Sequence, residues 1–89
     1  MSAIVESLGL AVRQLREGRG WSQEQLAEHA DLNRSYVGEI ERGRAIASIV
    51  TTEKLASALG VSLPTLMADC DRLTAGRTRQ GLRLTAIAC

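Results

Sequence analysis

The chain has 89 residues, 45 % of them hydrophobic and 24 % charged, with eleven basic and ten acidic side chains and a formal net charge of +1. That composition excludes wholesale disorder, and no apolar run reaches the roughly 18 residues of a membrane span. Trp21 and Tyr36 are the two aromatic residues, so the core must come from Leu, Ile, Val and Ala, a mixture rich in helix formers.

Five helical segments follow in chain order. Leu8, Ala11, Val12 and Leu15 recur at spacings of three and four, which predicts a helix over about Ile4–Glu17, ended by Gly18 and Gly20. Ser22 with Gln25 three residues later forms a capping box, and Trp21 and Leu26 flank it as a hydrophobic staple. The second helix carries Leu26, Ala27 and Ala30 inward. Asp31 and Leu32 then make a tight turn, since Asp tolerates the left-handed conformation. Asn33 caps a third helix, Arg34–Arg42, stopped by Gly43. Val37 and Ile40 face inward in this reading, while Arg34, Ser35, Gly38, Glu39 and Arg42 share the outer face. Ser48 caps a fourth helix with Ile49, Leu55, Ala56 and Leu59 as its apolar stripe, ended by Gly60. Ser62 caps a fifth that runs to about Leu73, with Pro64 tolerated in its first turn. Residues 1–73 therefore read as the folded domain and residues 74–89 as a tail, extended or disordered. Leu82, Leu84 and Ala86 alternate there with Arg83 and Thr85 in a weak strand pattern.

The residues argue against several chemistries. The N-terminus has no basic stretch and no apolar signal core. Cys70 and Cys89 form no Cys-x-x-Cys pair and have no His beside them, so they read as reduced, cytosolic thiols rather than metal ligands. His29 reads as a solvent-facing helix residue. With no nucleophile elbow, phosphate-binding glycine loop or paired carboxylates, neither catalysis, nor a cofactor, nor a metal is expected. Charge is uneven: residues 1–69 carry seven basic and nine acidic side chains, whereas residues 70–89 carry four Arg against Asp71.

Two short helices joined by a tight turn, the second with a polar outer face, describe a helix-turn-helix. The run LREGRGWSQEQLAEHADLNRSYVGEIERG, beginning at Leu15, resembles the phage-repressor-type helix-turn-helix regulators of the xenobiotic-response-element family. The resemblance extends from Leu8 to about Met67. Within the family, N-R-S-Y-V-G-E-I-E-R-G-R is similar to the controller proteins of restriction–modification systems. The resemblance implies an all-α, compact five-helix repressor-like domain, cytoplasmic, that binds double-stranded DNA as a homodimer on a short palindromic operator. Its recognition helix, residues 34–42, would lie in the major groove, about 34 Å from its two-fold mate.

Carried over position by position, the resemblance makes Gln23 a phosphate contact, Asn33, Arg34, Ser35 and Tyr36 the start of the recognition helix, and Glu39 a further groove-facing residue. It makes Arg42 and Arg44 backbone contacts and Arg16 with Glu41 a partly buried ion pair. Physical chemistry supports the pattern: helix N-termini suit phosphate, and Arg34 can grip a guanine edge with two hydrogen bonds. Glu39 repels phosphate unless it meets a cytosine amino group or orients an Arg such as Arg42.

Leu63, Leu66 and Met67 are the expected dimer surface, with Leu82, Leu84 and Ile87 of the tail as a bracing arm or its arginines as a DNA arm. The chain departs from the family after Gly43. Ile46-Ala47-Ser48-Ile49 replaces the usual Asn-Pro-Ser-Leu lead-in to helix four, and Thr52 stands where a large apolar residue is usual. Two other readings stay open: a protein-interaction adaptor on the same fold, which the low charge of residues 1–69 and Glu39 favour, and an antitoxin that represses its own operon.

Overall fold

Four of the chain's helices end the same way, and those ends set its path. In this computed structural model, which describes the backbone of residues 2–88 and the side chains of residues 2–76, the helices are α1 (Ala3–Gly18), α2 (Gln23–Ala30), α3 (Arg34–Glu41), α4 (Ile49–Ala58) and α5 (Leu63–Ala88). After α1, α3 and α4 the chain turns on Gly20, Gly43 and Gly60, all with φ of 71° to 75°. After α2 it turns on Asp31, at φ 55°. Each turn closes with a pair of backbone bonds, as in Leu32 N–H to Ala27 O at 2.9 Å and Asp31 N–H to Glu28 O at 3.3 Å. This is the Schellman arrangement, in which a left-handed residue lets the chain satisfy the last helical carbonyls.

The starts are equally local. Ser22 Oγ accepts from Gln25 N–H at 3.1 Å while Gln25 Oε1 accepts from Ser22 N–H at 2.8 Å, completing the capping box. Asn33, Ser48 and Ser62 each accept a backbone N–H from the first turn of α3, α4 and α5. Such caps contribute about 1 kcal/mol each.

Val12, Leu26, Val37, Ile40, Leu55 and Leu66 are fully or almost fully buried and hold the five helices around one core. The close approach of α1 to α3 depends on Gly9. A Cβ there would stand 2.3 Å from the Ile40 carbonyl oxygen and 2.8 Å from that of Glu41. Among the described residues, no buried side-chain nitrogen or oxygen lacks a hydrogen-bond partner. Ser7 is buried, and its Oγ accepts from the Thr74 hydroxyl at 2.8 Å. Thr52 is buried where an apolar residue was expected, and its hydroxyl donates to the Ser48 carbonyl at 2.8 Å.

Three expectations are corrected. Leu66 is a core residue at 0 % exposure, so it is not free to form a dimer surface; Leu63 and Met67 remain half-buried on the outside of α5. Ile49 is 71 % exposed rather than packed inward, because the first turn of α4 overhangs the edge of the core. The backbone from Thr74 to Ala88 is helical, not strand-like, as α5 continues past Leu73. The α5 cap and the buried Leu66 and Cys70 nucleate this helix, and no proline after Pro64 stops its propagation. The arm residues Leu82, Leu84 and Ile87 lie outside the described side chains, and Cys89 lies outside the described residues. No helix among the described residues is long and apolar enough to cross a membrane.

Candidate nucleic-acid interface

Glu41, at the end of α3, is the organising residue of the site. Its side chain is 2 % exposed, and its carboxylate accepts from Arg16 Nε at 2.7 Å, from Arg16 Nη2 at 3.0 Å and from Gln23 Nε2 at 3.1 Å. Arg16 also donates through Nη1 to the Trp21 carbonyl at 2.7 Å. One carboxylate thus ties α1, the α1–α2 turn, the first residue of α2 and the last of α3 into a single unit. The bidentate bond to Glu41 raises the Arg16 guanidinium further above its ordinary value, against the smaller opposing effect of its burial.

The helix held by this unit presents a polar surface. Asn33, Arg34 and Ser35 are exposed at the start of α3. Asn33 Oδ1 accepts from Ser35 N–H at 2.7 Å, so Asn33 serves as the cap. Arg34 and Arg44 are exposed and make no ion pair among the described residues, which leaves both guanidinium groups available. Arg44 is placed by the α3 end turn, its N–H donating to the Glu39 carbonyl at 2.9 Å. Tyr36 is half-buried against the core, with its hydroxyl 3.5 Å from the Ile46 carbonyl. Glu39 Oε1 accepts from Arg42 Nη2 at 2.9 Å, so the acid on this face is engaged by its neighbour one turn on.

Gly38 differs from the sequence reading. It is buried rather than at the centre of the outer face, beneath Arg42 and Gln23. Period-3.6 reasoning places it on the α3 surface correctly but cannot see side chains from other turns folding over it. His29, exposed, stacks on Trp21 with ring centroids 4.2 Å apart, and the Arg19 guanidinium lies 4.5 Å from the Trp21 ring centre. Cys70 is buried, and desolvation pushes its thiol up from the ordinary range, which makes it a core residue rather than a nucleophile. Arg13 was not singled out from sequence; its only signal was its place one turn before Arg16.

The helix-turn-helix family model matches residues 12–66, more than half of the chain, and the chain belongs to that family, of the xenobiotic-response-element type. Its relatives include control protein C.SmaI of Serratia marcescens, 40 % identical over 80 residues, covering 90 % of this chain and 83 % of that one. Among solved structures, the restriction–modification controller C.AhdI from Aeromonas hydrophila superposes with a TM-score of 0.70 at 43 % identity, covering 73 % of this chain and 98 % of that one. The controller C.Esp1396I, solved as a tetramer with its natural 35 base-pair operator, superposes with a TM-score of 0.78. At 24 % identity, covering 84 % of this chain and 99 % of that one, this last likeness is one of fold. Two longer proteins also match: the Neisseria meningitidis hypothetical transcription factor and the immunity repressor of Bacillus phage phi105, of each of which the chain spans about half.

Proposed function

We propose that this chain is a sequence-specific, DNA-binding transcription regulator. It acts in the cytoplasm as a homodimer on a short palindromic operator, with α3 in the major groove and no catalytic activity of its own. The observation that carries the reading is the contrast on α3. Its buried side is clamped through Glu41 to Arg16 and Gln23, while its outer start offers Arg34 and Ser35 to a partner. A rigid helix with an unpaired guanidinium at its exposed end suits a base edge. Gln23, at the start of α2, and the exposed Arg42 and Arg44 supply backbone contacts in this reading, while Tyr36 and Asn33 shape the helix start. Family membership and the controller relatives support the same conclusion. Leu63 and Met67 remain the proposed dimer contacts on α5, without Leu66.

The test is enrichment of random DNA duplexes by the purified protein at about physiological salt, where non-specific binding is weak. A motif with two related halves about ten base pairs apart is expected. Arg34→Ala should then relax one position in each half, at a cost of about 1–3 kcal/mol. An absence of enrichment would remove the reading in favour of a protein-binding role for the same fold.

A further inference from the structure

The concave surface where α1, α2 and α3 meet holds one arginine, Arg13, that the reading so far does not use. Arg13, Arg16, Gln23, Glu41 and Arg42 line it. Arg16 neutralises Glu41 within it and has its Nε, Nη1 and Nη2 already donating to protein acceptors. The remaining charge in the lining belongs to Arg13 and Arg42. Gly38 forms part of the wall. A Cβ there would stand 3.2 Å and 3.3 Å from the two terminal nitrogens of Arg42 and 3.3 Å from Gln23 Oε1. The missing side chain lets the Arg42 guanidinium lie along α3 beside the Gln23 amide. Gln23 spends one N–H of its amide on Glu41 and keeps the second.

With Gln23 and Arg42 already read as backbone contacts, the geometry points to Arg13, on the wall of the same concavity, as a further contact to the phosphate seated there, one that neither the motif nor the family resemblance singled out. The inference rests on the DNA-binding reading above and specifies where one strand is held. Arg13, Gln23 and Arg42 line this one concavity from α1, the start of α2 and the end of α3, so a single diester phosphate seated in it can accept from all three elements. Two carboxylates compete for the same cations. Glu17 stands 3.5 Å from Arg13 and Glu39 stands 2.9 Å from Arg42. Both pairs are solvent-exposed, with side chains between 43 % and 58 % accessible. Exposed pairs at these spacings are weak, whereas a charge-assisted bond from Arg to phosphate is strong. The phosphate therefore replaces Glu17 as the partner of Arg13, and Glu17 limits the affinity that Arg13 adds.

The experiment measures binding of the full chain to two labelled duplexes, the enriched operator and a scrambled version of it, across a salt series. Arg13→Gln should weaken both by a similar factor, about fivefold at ~0.15 M salt, and lower the slope of log K against log salt by about one. Its melting temperature should stay that of the parent chain, because Arg13 is exposed. Glu17→Gln should move both affinities the opposite way. If Arg13→Gln keeps parental affinity and slope while Arg34→Ala still relaxes operator selectivity, the DNA reading stands and the phosphate seat is overturned. A loss confined to the operator also overturns it, since a phosphate contact is blind to sequence. Failure of the parent chain to bind either duplex removes this inference together with the reading it rests on.

Discussion

The two sides of α3 are built on opposite principles. On the α1–α2 side, Glu41 and Arg16 form a nearly dry network, and Gly9 brings the α1 and α3 backbones together. On the α4 side, the connection after Gly43 leaves Ile46 at 72 % and Ile49 at 71 % exposure, beside a shallow apolar groove that reaches Ile4 and Met67. The first side determines α3's orientation and tolerates little change. The second leaves its apolar side chains in solvent, and it is also the stretch where the chain departs from the usual family lead-in to helix four. A few buried polar atoms, and not apolar area alone, thus fix α3 against α1 and α2.

The comparison breaks most sharply at Glu41. Glu41→Gln should cost roughly 3–5 kcal/mol, because it leaves the Arg16 guanidinium without its counter-charge in a mostly buried site. Urea unfolding would register this as a large drop in midpoint with little change in slope. An unchanged midpoint would mean that the network positions α3 without stabilising it.

A smaller loss is expected at Gly9. Ala is the better helix former, yet its methyl group would meet two backbone oxygens of α3 that cannot move independently. Gly9→Ala should therefore destabilise by about 1–3 kcal/mol, the range for an overfilled core, as read by thermal unfolding. A gain in stability would show that the helices separate freely and that the close approach is incidental.

The smallest effect belongs to the other side. Ile46→Ser and Ile49→Ser should each change unfolding free energy by no more than about 0.5 kcal/mol at low protein concentration. A larger loss that grows with protein concentration would show that the groove is covered by a second molecule, and would turn the contrast between the two sides into one between an intramolecular and an intermolecular interface.

Much of the fold was legible because it is locally encoded. Ser22 with Gln25, Asn33, Ser48 and Ser62 announce helix starts through side chains that reach only two or three residues along the chain. Gly20, Asp31, Gly43 and Gly60 announce the turns through a conformation that few residues adopt at low cost. The fifth helix was read too short because a helix can propagate through a segment without an apolar stripe once its first turns are anchored. Ile49 was misplaced because periodicity reports which face a residue occupies, not where along the helix the core ends. Leu66 reads from sequence as a surface residue because an apolar residue on a terminal helix has the same spacing whether it meets this chain or a second one.

What the sequence alone determined, then, is the order of helices, their caps and turns, and the chemical character of α3: each depends on interactions within a few residues. What the tertiary structure decided is which of those polar residues are spent and which are free. Arg16 and Arg34 are both arginines beside a helix-turn-helix, yet one is consumed by Glu41 across 25 residues of chain while the other stands in solvent. That division rests on long-range packing: Gly9 lets α1 approach α3 closely, and Arg16 and Gln23 from other helices cover the Glu41 carboxylate.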